Sequence, residues 1–135
     1  MILFKKLGSY GRLGNQLFQI ASTTGIAVKN NTGYFFPEWE FNHMCKNGIP
    51  TLPNCKELQA IDYYGEPHFE YRELTFSQVD NINLLGYFQT EKYFDHCRQR
   101  ILDMFELNSV YTNKINELNI DFKNCISVHV RRGDY

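Results

Sequence analysis

The stretch Ile2-Leu3-Phe4-Lys5-Lys6-Leu7-Gly8-Ser9-Tyr10-Gly11-Arg12-Leu13-Gly14-Asn15-Gln16-Leu17-Phe18 decides the fold class. Ile2, Leu3 and Phe4 begin an apolar run that stops at Gly8, and residues 8–14 form a glycine-punctuated loop, so a strand is followed by a turn. Beyond Gly14, apolar or small residues recur at Leu17, Phe18, Ala21, Gly25 and Val28, a helical period that fades at Asn30, Asn31 and Gly33. Strand, loop and helix in that order open an α/β domain.

The rest of the chain continues the pattern. Tyr34, Phe35 and Phe36 before Pro37 read as a second strand, whereas residues 38–67, with three prolines and little periodicity, read as irregular. Ile82 to Phe88 is strand-like, and Thr90 is placed to cap a helix whose positive end suits Glu91. Tyr93 or Phe94, Cys97, Ile101 and Met104 or Phe105 then form a stripe at helical spacing, with Arg98 and Arg100 on solvated faces. A further helix is expected from Asn108 or Ser109, with Tyr111, Ile115 and Leu118 on one side. Cys125-Ile126-Ser127-Val128-His129-Val130 alternates and is β-branched, which predicts a closing strand.

With 135 residues, 43% hydrophobic and 21% charged, the chain has the composition of one globular domain with a sizeable core. Its net charge of -1 leaves no global field for nucleic acid or an anionic membrane surface, so any anion site must be local. No apolar run is long enough to span a bilayer and no secretory leader is visible, which predicts a reducing, cytoplasmic setting. Cys45, Cys55, Cys97 and Cys125 form no Cys-x-x-Cys pair and are expected to be free buried thiols. His43, Cys45 and Cys55 are too few for a metal set, so no metal site is expected.

Two constellations carry chemistry. Gly11-Arg12-Leu13-Gly14-Asn15-Gln16 lies where a strand passes into a helix, and a helix start offers unpaired N–H groups to an anion. The glycines at 8, 11 and 14 match neither the dinucleotide fingerprint nor a P-loop, and a tight turn with a solvated arginine accounts for the same residues. The second constellation is His129-Val130-Arg131-Arg132-Gly133-Asp134-Tyr135, in which the expected strand ends on two guanidinium groups suited to bidentate contact with phosphate. His129 and Arg131 are two apart and would share a strand face, with Asp134 placed to orient an arginine.

Gly-Arg-Leu-Gly-Asn-Gln-Leu-Phe-Gln (11–19), Gly-Tyr-Phe-Gln-Thr-Glu-Lys-Tyr-Phe (86–94) and Ser-Val-His-Val-Arg-Arg-Gly-Asp-Tyr (127–135) together resemble the α-1,2-fucosyltransferases of glycosyltransferase family 11. The resemblance implies an inverting, metal-independent transfer of L-fucose from GDP-fucose to a galactoside hydroxyl, within a GT-B-like fold of Rossmann-like halves. It places His129, Arg131, Arg132, Arg12, Gly14 and Asn15 at the donor, with Arg131 as the catalytic residue at the pyrophosphate. Fixed cations there would offset the charge on the departing diphosphate. The acceptor proton also needs a base, for which Glu38, Glu40, Asp62 and Glu66 are candidates by default.

Members of that family are commonly about twice this length. The chain is therefore expected to be a truncated amino-terminal portion, with residues 1–123 an acceptor-side α/β domain and 124–135 the first strand of an otherwise absent donor-binding region. Thr90 stands where serine is frequent in such proteins. The expected partners are GDP-fucose and a galactose-terminated glycan, with a lipid-linked acceptor as the route to a membrane surface. The alternative reading is a non-catalytic module that holds a glycan or a nucleotide phosphate, and a third leaves both arginines solvated.

Overall fold

Ile2 and Leu3 are almost wholly buried, as a parallel strand covered on both faces requires. In the computed structural model, which describes residues 1–65, 70–76, 80–130 and 132, they form β1 (Ile2–Leu3). There follow α1 (Leu13–Lys29), β2 (Tyr34–Phe35), β3 (Ile61–Tyr64), β4 (Ile82–Leu85), α2 (Arg98–Met104) and α3 (Ser109–Glu117). The strands make one sheet in the order β2-β1-β4-β3, with every neighbouring pair parallel. Ile82 of β4 stands in register with Ile2 on one side and Ile61 on the other. This is a small α/β domain compatible with a Rossmann-like arrangement.

A buried polar group inside such a sheet needs partners. Asn83, in the middle of β4, has them: its Oδ1 accepts from the Lys5 backbone N–H at 3.0 Å, and its Nδ2 donates to Asp62 Oδ1 at 2.7 Å. One side chain thus joins the end of β1, β4 and the edge strand.

Helix α1 departs from the single apolar stripe its sequence suggests. Every residue from Gln19 to Ala27 is buried. The sheet lies against one side, and the segment from Thr90 to Phe105 lies against another. Small residues permit this second contact: a Cβ on Gly25 would come within 2.7 Å of the Phe94 Cα and closer still to the Tyr93 carbonyl oxygen. Tyr93 and Phe94 then pack on either side of the approach, Tyr93 against Phe88 at 5.4 Å between ring centroids and Phe94 against Phe18 at 6.2 Å. Polar atoms that this burial would orphan are mostly paired, as where Ser22 Oγ donates to the Phe88 carbonyl at 2.8 Å. The helix ends at Asn30, whose Nδ2 donates to the Ile26 and Leu74 carbonyls, both at 2.8 Å, while its Oδ1 accepts from the Phe76 N–H at 2.8 Å.

The same approach corrects the helix expected after Thr90. Thr90 does cap, accepting from the Lys92 N–H at 3.5 Å, but it starts a short 3₁₀ turn at Glu91–Tyr93. A second follows at Asp95–Cys97, and regular helix begins at Arg98. A continuous helix could not turn the Tyr93 carbonyl onto Gly25 and keep its own ladder. The helix from Ser109 forms as expected, with Asn108 Oδ1 accepting from the Val110 N–H at 3.0 Å.

Two expectations about strands also change. The stretch read as irregular contains β3, an edge strand with Ile61 56% and Tyr64 74% exposed, and a bridge from Thr51 to Phe36 beside β2. The alternating run at 125–130 joins no strand among the described residues and is exposed throughout, with Ile126 92% accessible. Alternation makes a strand only where a sheet edge receives it, and none does so among the described residues.

The cysteines are free, as expected, but unequal: Cys55 is buried, Cys45 and Cys97 are half-buried, and Cys125 is exposed. Burial pushes the thiols of Cys45, Cys55 and Cys97 above their ordinary value. A thiol reagent at mildly alkaline pH should therefore modify Cys125 first, with Cys55 last and accelerated by urea, as read by mass spectrometry of the labelled peptides. The Gly25 approach gives a second prediction. Gly25→Ala should lower stability by about 1–3 kcal/mol in urea unfolding, although alanine alone improves a helix interior by about 1 kcal/mol. A raised midpoint would mean that the backbone at 93–94 can move aside.

Candidate functional site

Open parallel sheets bind ligands outside the carboxyl ends of their strands, where the strand order changes direction. Here β1 leads through α1 to β2 on one side, while β4 and β3 lie on the other, so that place is the crevice between β1 and β4. The loops leaving these strands carry the first two motif blocks of the sequence.

The loops that carry them meet at several points. Tyr10 lies beside Tyr87 with ring centroids 6.2 Å apart, and Phe4 meets Phe88 edge-on at 6.5 Å. Gln89 Nε2 donates to Asn15 Oδ1 at 2.6 Å. Phe88 itself has φ 52°, a left-handed conformation that a bulky side chain adopts at a cost of about 1–2 kcal/mol. Its full burial and the Ser22 bond to its carbonyl hold it there.

The loop after β1 is pinned by amides. Gln16 Nε2 donates to the Gly11 carbonyl at 3.1 Å, and Gln19 Nε2 donates to the Tyr10 carbonyl at 3.3 Å. Trp39, on the loop after β2, donates from Nε1 to Gln16 Oε1 at 2.7 Å, so a third strand end is tied to the same turn. Gln19 Oε1 and Thr23 Oγ1 are buried without a hydrogen-bond partner. Gly11 takes φ +68°, and a Cβ there would come within 2.7 Å of the Asn15 Cβ. Lys6 Nζ sits 5.3 Å from the Tyr10 ring centroid, adding a cation at the rim.

Of the residues singled out in the sequence, Arg12, Gly14 and Asn15 gather at the start of α1. Arg12 occupies the N-cap with extended backbone and makes no side-chain capping bond, leaving the first-turn N–H groups uncovered by it. Gly14 is exposed, and Asn15 is half-buried beneath Gln89. His129 and Arg132 are exposed and belong to neither sheet nor helix. Arg131, Gly133, Asp134 and Tyr135 lie outside the described residues, as does Glu66. Among the other carboxylates, Asp62 is engaged by Asn83, whereas Glu38 and Glu40 are exposed and flank Trp39. Among the described residues no three His, Cys, Asp or Glu side chains gather as a metal set, and no helix is long and apolar enough to cross a membrane.

Gln16, Trp39, Tyr87 and Gln89 are parts of this constellation that sequence reasoning did not single out. Gln16, Tyr87 and Gln89 stand inside quoted motif blocks, where their position was a signal, but Trp39 lies outside all three.

The fold gives an α/β domain whose candidate site is a polar, glycine-containing turn at the ends of its two central strands. Comparison with known proteins narrows the class. The chain is 40% identical over 125 residues to an O-antigen biosynthesis glycosyltransferase, WbnK, of Escherichia coli, an alignment covering 88% of this chain and 32% of that protein. It is 26% identical to galactoside alpha-(1,2)-fucosyltransferase 2 of Hylobates lar, covering 96% of this chain and 41% of the relative. An alpha-1,2-colitosyltransferase of Escherichia coli is 24% identical over 93% of this chain and 53% of its own length. Several curated relatives are thus fucosyltransferases or related glycosyltransferases, in agreement with the resemblance read from the motifs, and the chain spans a third to about half of the length of these three. No family model matches, and no solved structure matches.

The turn at Gly11 yields a prediction. Gly11→Ala should cost about 1–2 kcal/mol for the left-handed backbone alone. It should also push Asn15 off Gln89, seen as a shift of both side-chain amide signals in nitrogen-edited NMR.

Proposed function

We propose that this domain serves an α-1,2-fucosyltransferase, moving L-fucose from GDP-fucose to a galactoside hydroxyl with inversion. The observation that carries the reading is the contact of the 11–19 and 86–94 blocks at Asn15 and Gln89, in a chain whose curated relatives bear fucosyltransferase names.

In this reading the diphosphate lies against the first turn of α1, where backbone N–H groups and the helix field favour negative charge. Arg12 is at that turn, and in this reading Arg131 and Arg132 supply further cationic groups and His129 a hydrogen-bonding nitrogen from the third block. Breaking the bond from the anomeric carbon to the diphosphate leaves positive charge on the sugar ring and negative charge on the departing oxygen. Fixed donors and cations that meet the second charge lower the barrier without rearranging at the moment of reaction. The acceptor hydroxyl attacks from the opposite face and loses its proton to a base within hydrogen-bond reach. Glu38 and Glu40, which flank the Trp39 bonded to Gln16, stay candidates for that role beside Asp62 and Glu66. The colitosyltransferase relative makes the transferred sugar a variable, so the assay needs more than one donor.

GDP binding should be measured by calorimetry on this chain and on a form extended to the length of its relatives, and transfer should be sought with the extended form, GDP-fucose and lactose, with GDP-mannose as the comparison donor. Arg12→Ala and Arg131→Ala should each lower transfer by about 10²–10³. GDP binding unchanged in the double variant would overturn the reading.

A further inference from the structure

We infer that residues 125–130 are a self-association surface, pairing antiparallel with the same residues of a second copy about a two-fold axis at Val128. Exposed large apolar side chains gather at this end of the chain: Leu118, Ile120, Phe122, Ile126, Val128 and Val130 are 44% to 92% accessible. Scattered exposed hydrophobics are ordinary, whereas a concentration of them marks a surface that something covers. The six side chains offer roughly 700 Å² per copy, against the roughly 600 Å² that each partner gives at the small end of stable interfaces. Residues 125–130 are also extended and join no sheet among the described residues, so they present both edges of a strand.

The symmetry of the pattern selects a second copy as the occupant. Ile126, Val128 and Val130 alternate with Cys125, Ser127 and His129, so an extended segment has one apolar face and one polar face. Antiparallel pairing centred on Val128 sets Ile126 opposite Val130 of the second copy, Val128 opposite its own counterpart, and Ser127 opposite His129 of the second copy. Every apolar side chain of the ribbon then lies on one face. A slip of one residue would set apolar against polar, and a slip of two would leave fewer apolar pairs, so the register is specified. A two-stranded ribbon alone is marginal in water. Leu118, Ile120 and Phe122, exposed just before the segment in each copy, are close enough in the chain to cover it. One self-complementary patch closes after two copies, and the sheet and α1 stay as they are.

The test is the mass of the 135-residue chain by sedimentation equilibrium at micromolar concentration. It should be twice 16.0 kDa, and Val128→Lys, which sets two ammonium groups against each other at the axis, should return it to 16.0 kDa. Ser127→Lys, on the polar face, should leave the dimer intact. Both variants should keep the fluorescence of buried Trp39, because the segment is exposed in its own chain and the core does not rest on it. In a Cys125→Ser background with diamide as oxidant, Val128→Cys should cross-link about tenfold or more faster than Val130→Cys, whose counterpart lies across from residue 126. A monomeric wild type overturns the inference. So does a dimer that survives Val128→Lys, since the contact then lies elsewhere, the open edge of β3 included. Equal cross-linking at the two positions overturns the axis. If the 135-residue chain is monomeric and the segment is protected from hydrogen exchange only in a form extended to the relatives' length, the surface belongs to that further chain and the inference falls.

Discussion

The approach of helix α1 to the backbone at Tyr93 and Phe94 is the constraint from which the remaining geometry follows. A helix against a sheet leaves one face to solvent, but at Gly25 the side chain is missing and a second layer of chain comes down onto the helix. His96 reinforces it, with Nε2 3.1 Å from the Gly25 carbonyl oxygen. Once residues 90–97 are held there, the short connection back to β4 must cross the amino-terminal half of α1. That crossing places Phe88 over Ser22 and Gln89 over Asn15. Packing in the middle of the helix therefore decides which loops share the crevice at its start.

The opening strand, loop and helix were legible because each signal was local: an apolar run, a glycine-spaced turn and a 3.6-residue period. Asn108 and Thr90 were legible for the same reason, since a cap is a side chain bonding to a backbone group two or three residues away. What the sequence could not convey depends on neighbours distant in the chain. β3 carries Asp62 and exposed Ile61 and Tyr64, so its pattern is that of a loop, and its pairing with β4 alone makes it a strand. Cys125 to Val130 has the complementary defect, an ideal local pattern with no edge to join among the described residues. At the site, Arg12, Gly14 and Asn15 could be picked out as a turn, whereas the Trp39 to Gln16 bond joins residues 23 apart and the Gln89 to Asn15 bond residues 74 apart.

The crevice is built mainly from amides rather than from charge. Gln16, Gln19, Asn15 and Gln89 each bond to a loop carbonyl or to one another, and Trp39 completes the chain. Neutral amides can be buried and hydrogen-bonded at modest cost, whereas a guanidinium in the same place would carry a desolvation penalty of several kcal/mol. The loop can thus be rigid before any ligand arrives. In the proposed reaction the arginines supply the charge that meets the diphosphate, and the amides keep the loop in place.

That division of labour also bears on Gln19 and Thr23. A buried acceptor without a partner is costly, by about 1–3 kcal/mol each, and both Gln19 Oε1 and Thr23 Oγ1 are of this kind. Apolar residues of similar size would remove the cost at position 23 but not at 19, where Nε2 also holds the Tyr10 carbonyl. Leucine at 19 would release Tyr10, and with it the ring that lies beside Tyr87 at the mouth of the crevice. The helix therefore keeps a polar group in its most buried stretch because the loop above it needs a donor from below, and stability within the helix yields to order in the turn.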